Sequence, residues 1–260
     1  MGDPMKLFKS ILTAAVVTAG MSTTVFAEVR LGLDSSNYEP FYSRSADGEW
    51  TGWEIEIGDA VCEAMKEECV WVPIAWDGII PALTAKKIDA IFGSMSITDE
   101  RKKTINFSDK YYNTPAALIA PKAMSVESVD DLKGKKIGVQ VSSTHSNYAE
   151  KYLSDGTEVK IYQDFNEHNQ DLFAGRVDAV VADSLALAPF LESAEGSSFE
   201  IKMELNDEAV FGIGVGAGIR KDDTELLDKI NAAIAQIRED GTYDEIAKKY
   251  FNFDIYGGSN

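Results

Sequence analysis

Histidine is nearly missing from this chain: 260 residues hold two, His145 and His168. Cysteine is as scarce, with Cys62 and Cys69 alone. There is no Gly-x-Ser-x-Gly elbow, no phosphate loop ending in Gly-Lys-Ser/Thr and no His-Glu-x-x-His pair. No Cys/His set has zinc spacing, so neither a metal site nor a cofactor is expected. Phosphoryl transfer, serine hydrolysis and zinc chemistry all lose their usual residues, and no catalytic residue stands out. Positive charge is also short: 25 Lys and Arg stand against 43 Asp and Glu, a net charge of −18. A nucleic-acid surface needs the opposite balance. No apolar run is long enough to span a bilayer.

Hydrophobic content of 45% and charged content of 26% fit a folded globular protein. The length suits one large domain or two lobes of ordinary size. Lys6 and Lys9 precede a short apolar run, Ile11 to Gly20, and Val25-Phe26-Ala27 has the small-residue spacing of a signal-peptidase site. The expectation is a signal peptide over residues 1–27, cleaved after Ala27, and an exported soluble remainder. Residues 1–4 read as tag residues as readily as a native start.

Export permits a disulfide. On one straight helix the two cysteines would stand about 10.5 Å apart, at roughly 1.5 Å per residue. A bridge needs less than about 7 Å. A Cys62–Cys69 disulfide therefore requires the helix to end near Lys66 to Glu68 and the chain to fold back into Val70-Trp71-Val72. The alternative is a pair of buried free thiols.

Along the chain, strand and helix patterns alternate. Val29 to Leu33 reads as a strand, and Phe41 to Trp53 as a hairpin turning at Asp47-Gly48. Glu54 to Lys66 carries a helical apolar stripe. Val70 to Ile74 is a strand, Trp76 to Ala85 a helix and Ile88 to Phe92 a strand. The alternation restarts at Lys135 to Val139 and continues through Val159 to Tyr162 and Val177 to Val181. It predicts an α/β protein with parallel, doubly wound sheets. AKKIDAIFGSMS from Ala85 resembles AGRVDAVVADSL from Ala174, which points to two similar lobes rather than a repeat array. GIGVGAG, Gly212 to Gly218, lies in a strand-like run, away from the strand-to-helix turn that a dinucleotide fingerprint requires.

Ligands of doubly wound sheets sit at strand C-terminal ends. Asp34, Ser94, Ser96, the segment Gln140 to His145, and Asp183 all fall there, in both halves. Thr98 is an N-cap candidate, and Arg101 sits in the first helical turn, where the helix dipole disfavours a cation. Arg101 with the N–H groups at Ser143 and Thr144 suits a carboxylate. Asp183 suits an ammonium group. Together they describe a clamp for a zwitterion between two lobes. The simpler reading pairs Arg101 with Asp99 or Glu100, and makes Asp183 a helix cap.

The segments WDGIIPALTAKKIDAIFGSMSITDERKKTINFSDKYY, LKGKKIGVQVSSTH, AGRVDAVVAD, IRKDDTELL and EDGTYDEIAKKYFNFDIYG resemble the periplasmic amino-acid-binding proteins of ABC importers. The likeness runs from Glu28 to Gly257 and is nearest to the lysine/arginine/ornithine and histidine binders. It implies a type II periplasmic-binding-protein fold: lobe 1 from residues 28–112 and 216–260, lobe 2 from residues 113–215, joined by two hinge strands. It implies a periplasmic monomer with no enzymatic activity, an amino-acid ligand and a membrane permease as partner. By matching position, Arg101 grips the α-carboxylate with Ser143 and Thr144, and Asp183 takes the α-ammonium with Gly93, Ser94 and Ser96. Tyr38 and Trp76 sandwich the ligand side chain, and Asp34 meets its distal cation. The cysteine pair also matches.

The departures fall at the distal end. The loop Asp34 to Tyr38 is one residue longer than in the basic binders, and Gly93 replaces a serine. Gln140 replaces an apolar residue, and His145 stands where glutamine is common. A cationic L-amino acid (arginine, lysine or ornithine) is the expected ligand, with an opine, histidine or glutamine as alternatives. A cyclohexadienyl-dehydratase-like enzyme on the same fold is the other class, with His145 as its general acid.

Overall fold

A computed structural model of the chain describes Met1 and residues 28–257. The expected signal peptide and its cleavage point lie outside the described residues.

The chain opens with β1 (Val29–Asp34), the hairpin strands β2 (Ser43–Arg44) and β3 (Trp50–Thr51), helix α1 (Trp53–Met65) and β4 (Cys69–Ile74). A 3-10 turn at Trp76–Gly78 leads into α2 (Ile79–Thr84), followed by β5 (Ala90–Ile91), α3 (Asp99–Lys102) and β6 (Asn106–Phe107). The second unit contains β7 (Ala116–Pro121), β8 (Lys136–Gln140), α4 (Thr144–Tyr152), β9 (Glu158–Tyr162), α5 (Phe165–Phe173), β10 (Ala179–Asp183), α6 (Ser184–Glu192), β11 (Phe199–Leu205) and α7 (Glu208–Phe211). The chain then returns as β12 (Gly218–Ile219), α8 (Thr224–Glu239) and α9 (Thr242–Tyr250).

Two five-stranded sheets result, ordered β4-β1-β5-β12-β6 and β11-β7-β10-β8-β9. Neither is wholly parallel. β1 pairs in parallel with β4 and β5, but β12 runs antiparallel to β5 and β6. β8 is parallel to β9 and β10, while β7 is antiparallel to β10 and β11. The purely parallel expectation is corrected here. The chain crosses between sheets twice, and each crossing lets a strand enter against the direction of its neighbours. β7, β11 and α6 had no counterpart in the sequence reading. The Gly-rich run forms a strand only at Gly218–Ile219, with Val215 bridging Ser96 and Tyr112.

The likeness of the two halves has a physical basis. The Asp89 N–H donates to the Arg30 carbonyl, and the Asp89 carboxylate accepts from the Arg30 N–H at 3.1 Å. Asp178 does the same with Lys136: its N–H reaches the Lys136 carbonyl, and its carboxylate takes the Lys136 N–H at 2.8 Å. In each half an aspartate therefore pins the start of one strand to the start of its parallel neighbour. That fixes the register which carries the strands' far ends to one level.

Helix α1 buries Trp53, Ile55, Ile57, Val61 and Cys62. α8 meets it with Ile230, Ala233, Ile234 and Ile237, spaced as one helical face, and α9 with Tyr243, Ile246 and Ala247. Each fully buried isoleucine contributes about 1.5–3 kcal/mol. The aromatic tail closes the same core: Phe251 lies edge-on to Trp53 at 5.8 Å. α1 stops at Lys66, which takes the left-handed conformation (φ 59°). The chain reverses there into β4, and Cys62 and Cys69 form a disulfide with a Cα–Cα distance of 6.2 Å. Gly212 (φ 81°) crosses close under Ile97: a Cβ there would lie 2.1 Å from the Ile97 carbonyl oxygen.

Candidate ligand-binding site

Four strand ends open on one cavity. β1 delivers Asp34, β5 runs on into Gly93, Ser94 and Ser96, β8 ends at Gln140 ahead of α4, and β10 ends at Asp183 ahead of α6. Tyr38, Trp76, Arg101, Ser143, Thr144 and His145 complete the expected set, and all of them line this cavity. Tyr42 lines it too and was not expected.

At one end stands Arg101. Thr98 caps the turn before it, accepting the Arg101 N–H at 3.2 Å. The guanidinium donates to the Ser96 carbonyl (3.0 Å) and the Ser142 carbonyl (3.3 Å), and stacks on Trp76 with its carbon 5.5 Å from the ring centre. Burial pulls its pKa down to about 10, against the pull of Asp183. It remains a cation at neutral pH. Asp99 pairs instead with Lys102, and Glu100 with Lys103, so the simpler pairing of Arg101 does not form. A guanidinium has five N–H donors. The two bonds above leave the rest for an anion. Beside it, α4 begins: Ser143 caps the helix by accepting the Ser146 N–H at 3.0 Å. Ser142, just before, is held at φ 55°, an uncommon conformation for a non-glycine residue. Its carbonyl also accepts the Trp76 indole N–H at 3.3 Å.

Asp183 is the N-cap residue of α6, yet its side chain makes no capping bond. Its carboxylate turns to the cavity instead. The Tyr38 hydroxyl donates to Oδ2, and His145 Nε2 lies 3.4 Å from Oδ1. Burial and this neighbouring carboxylate push the Tyr38 phenol well above its ordinary range.

At the other end is Asp34, 5% exposed. The longer loop after it does not turn it away from the cavity. Gln140 Nε2 donates to Asp34 Oδ2 at 3.0 Å, and the Ser36 N–H approaches Oδ1 at 3.4 Å. Burial raises the Asp34 pKa, and the Gln140 bond pulls the other way. The Gln140–Asp34, Tyr38–Asp183, Trp76–Ser142 and Arg101–Ser142 bonds each join the part of the chain that carries one sheet to the part that carries the other. Asn166 adds another, donating to the Asn37 carbonyl at 2.9 Å.

Ser94, which lines the cavity, is also held from behind. Its N–H and its hydroxyl both donate to the Glu54 carboxylate, at 2.9 and 2.8 Å. Tyr111 donates its hydroxyl to the same carboxylate. Glu54 is fully buried, and burial raises its pKa despite these donors. Ser94 is held at φ 57°, so Glu54 fixes the loop that forms one cavity wall. Sequence reasoning missed Glu54. The signal was present: Glu54, Gly58, Val61 and Cys62 share one helical stripe, and all four are buried.

Residues 29–253 match the family described as bacterial extracellular solute-binding proteins, family 3. The L-arginine-binding protein of Pseudomonas aeruginosa is 45% identical over 258 residues, 96% of this chain and 99% of that protein. The lysine/arginine/ornithine-binding periplasmic protein of Escherichia coli is 43% identical over 258 residues, with coverage of 96% and 99%. Among solved structures, an ancestral arginine-binding protein bound to arginine superposes with a TM-score of 0.80 at 36% identity, covering 86% of this chain and 98% of that one.

Proposed function

The chain belongs to family 3 of the bacterial extracellular solute-binding proteins, and from that premise we propose that it captures a cationic L-amino acid and hands it to an ABC permease. The protein works in the periplasm as a monomer, after a signal peptide is cleaved at Ala27. Its lobes are residues 28–112 with 216–260, and residues 113–215.

The observation that carries this reading is the charge around the cavity. Among the described residues that line the cavity, Asp34 and Asp183 face one lysine or arginine, Arg101, which with a neutral His145 leaves one negative charge in excess. Arginine, lysine and ornithine each bring one net positive charge and balance it. A neutral zwitterion leaves the excess unmet. An opine brings a further carboxylate, for which the cavity offers no second guanidinium among the described residues. In the bound pose Arg101 takes the α-carboxylate together with the Ser143 and Thr144 N–H groups. Asp183 takes the α-ammonium, and the side chain lies by Tyr38 and Trp76 toward Asp34. The cation–π contribution of each ring is about 0.5–2 kcal/mol. The ligand touches both lobes only when they are closed, so binding favours closure by its differential contacts.

Calorimetry of ligand-stripped protein against the common amino acids tests this. Heat with arginine, lysine or ornithine is the expected result, and silence with all of them overturns the reading. One observation favours an enzymatic alternative: His145 Nε2 and Asp183 Oδ1, 3.4 Å apart, make an imidazole–carboxylate pair inside the cavity. Turnover of a prephenate-like acid by the purified protein would support that class. The relatives named above are binding proteins, which favours capture without reaction.

A further inference from the structure

Behind one wall of the cavity, three hydrogens converge on a single carboxyl group. The Ser94 N–H donates to Glu54 Oε1 at 2.9 Å, the Ser94 hydroxyl to Oε2 at 2.8 Å, and the Tyr111 hydroxyl to Oε1. Ser94 lines the cavity; Glu54 is fully buried and does not. Tyr111 is held on both sides of its backbone, its N–H donating to the Val215 carbonyl at 3.0 Å and its carbonyl accepting the Tyr243 hydroxyl at 2.7 Å. An ionised carboxylate has lone pairs and no hydrogen to give, and a serine hydroxyl has one hydrogen and two lone pairs. With that hydrogen spent on Glu54 Oε2, Ser94 Oγ has only lone pairs left for the cavity.

Resting on the bound pose above, we propose that Glu54 is a positioning residue for the α-ammonium: without touching the ligand, it fixes the Ser94 hydroxyl as an acceptor, so that this wall takes N–H donors. An ammonium group brings three donors and no acceptor. Asp183 serves one side of it and Ser94 Oγ another. A ligand hydroxyl in the same place can donate or accept, and is indifferent to the direction of Ser94. Position 54 allows that direction to be reversed at nearly constant shape. In Glu54→Gln the Ser94 N–H still needs an acceptor, so the amide oxygen takes the place of Oε1, where it also receives the Tyr111 hydroxyl. The amide NH2 then faces Ser94 Oγ and donates to it, since the opposite flip would set the NH2 group against the Ser94 N–H. The serine hydrogen is released from Glu54's place and points away from it, against the hydrogens of the ammonium.

Calorimetry of the ligand-stripped full chain against L-arginine, L-lysine and their 2-hydroxy acid analogues, in which a neutral hydroxyl replaces the α-ammonium, tests the proposal. Wild type is compared with Glu54→Gln, Ser94→Ala and the double variant. Glu54→Gln should bind both amino acids about tenfold or more weakly, a change of about 1.4 kcal/mol, and the hydroxy acids with less than about threefold change. Ser94→Ala removes the hydroxyl whose direction is at issue, so adding Glu54→Gln to it should weaken amino-acid binding by less than about twofold further. An equal loss toward amino and hydroxy acids would make Glu54 a structural support and overturns the proposal. So do additive losses in the double variant, which would mean that Glu54 acts without Ser94. Melting curves show whether each variant is folded. If Glu54→Gln is not, Ser94→Ala decides: it should lose affinity for the amino acids and keep it for the hydroxy acids, and no loss, or an equal loss toward both, overturns the proposal. Wild type binding no basic amino acid is a separate outcome: it removes the underlying reading and this inference with it.

Discussion

Asp34 should couple ligand binding to protons. Its carboxylate is buried at the cavity's far end, and burial raises its pKa above the ordinary 3.8. A cationic side chain placed against it acts in the opposite direction. Two unit charges about 4 Å apart at an effective dielectric near 20 interact by about 4 kcal/mol. That attraction pulls the Asp34 carboxyl back down on binding. Between the raised free value and the lowered bound value, each binding event expels a proton. Affinity for arginine or lysine should therefore fall as pH drops through the free Asp34 titration, by up to about tenfold per unit. Calorimetry in two buffers of different ionisation heat counts the protons released. In Asp34→Asn the release should vanish and the pH slope should flatten, while affinity drops by about 2–5 kcal/mol at neutral pH. Glutamine, with no distal cation, is the control and should release none. An unchanged slope in Asp34→Asn, or the same slope with glutamine, would refute the reasoning. The unliganded protein should show the opposite sign in its stability. A carboxylate whose folded pKa is raised binds its proton more tightly when folded, so stability is lost as pH climbs from the ordinary value through the raised one. Asp34 and Glu54 both act in this sense, and only the Asp34 share should disappear on adding a cationic ligand.

Two further outcomes are expected. Arg101→Ala should weaken amino-acid binding by about 2–5 kcal/mol, because the α-carboxylate is left without its partner; wild-type affinity in titration of that variant would overturn the assigned pose. Replacing Cys62 and Cys69 together by serine opens a loop of sequence separation 7. Chain entropy for so short a loop predicts a loss of roughly 2–2.5 kcal/mol in denaturant unfolding, with ligand binding retained.

Much of this molecule could be read from its residues. A Cys62–Cys69 disulfide required the chain to reverse between the two cysteines, and it reverses at Lys66. Polar residues at four strand ends marked the cavity, because parallel strands held in register by Asp89 and Asp178 must deliver their ends to one side. Periodicity and strand-end chemistry are local properties, and they survive without a structure. Other features were not local. The antiparallel strands β7, β11 and β12 arise from the two sheet crossings, which no window of sequence contains. Glu54 looks like an ordinary first-turn acid of a helix. Only packing turns it inward to hold Ser94 at φ 57°. Likewise the residue types at 34 and 140 suggested two polar groups near a ligand's end. The sheet-to-sheet approach decided that they bond to each other. Residue chemistry determined which groups the protein owns; the tertiary fold decided which of them remain free for a ligand, because a hydrogen-bond donor can be spent only once.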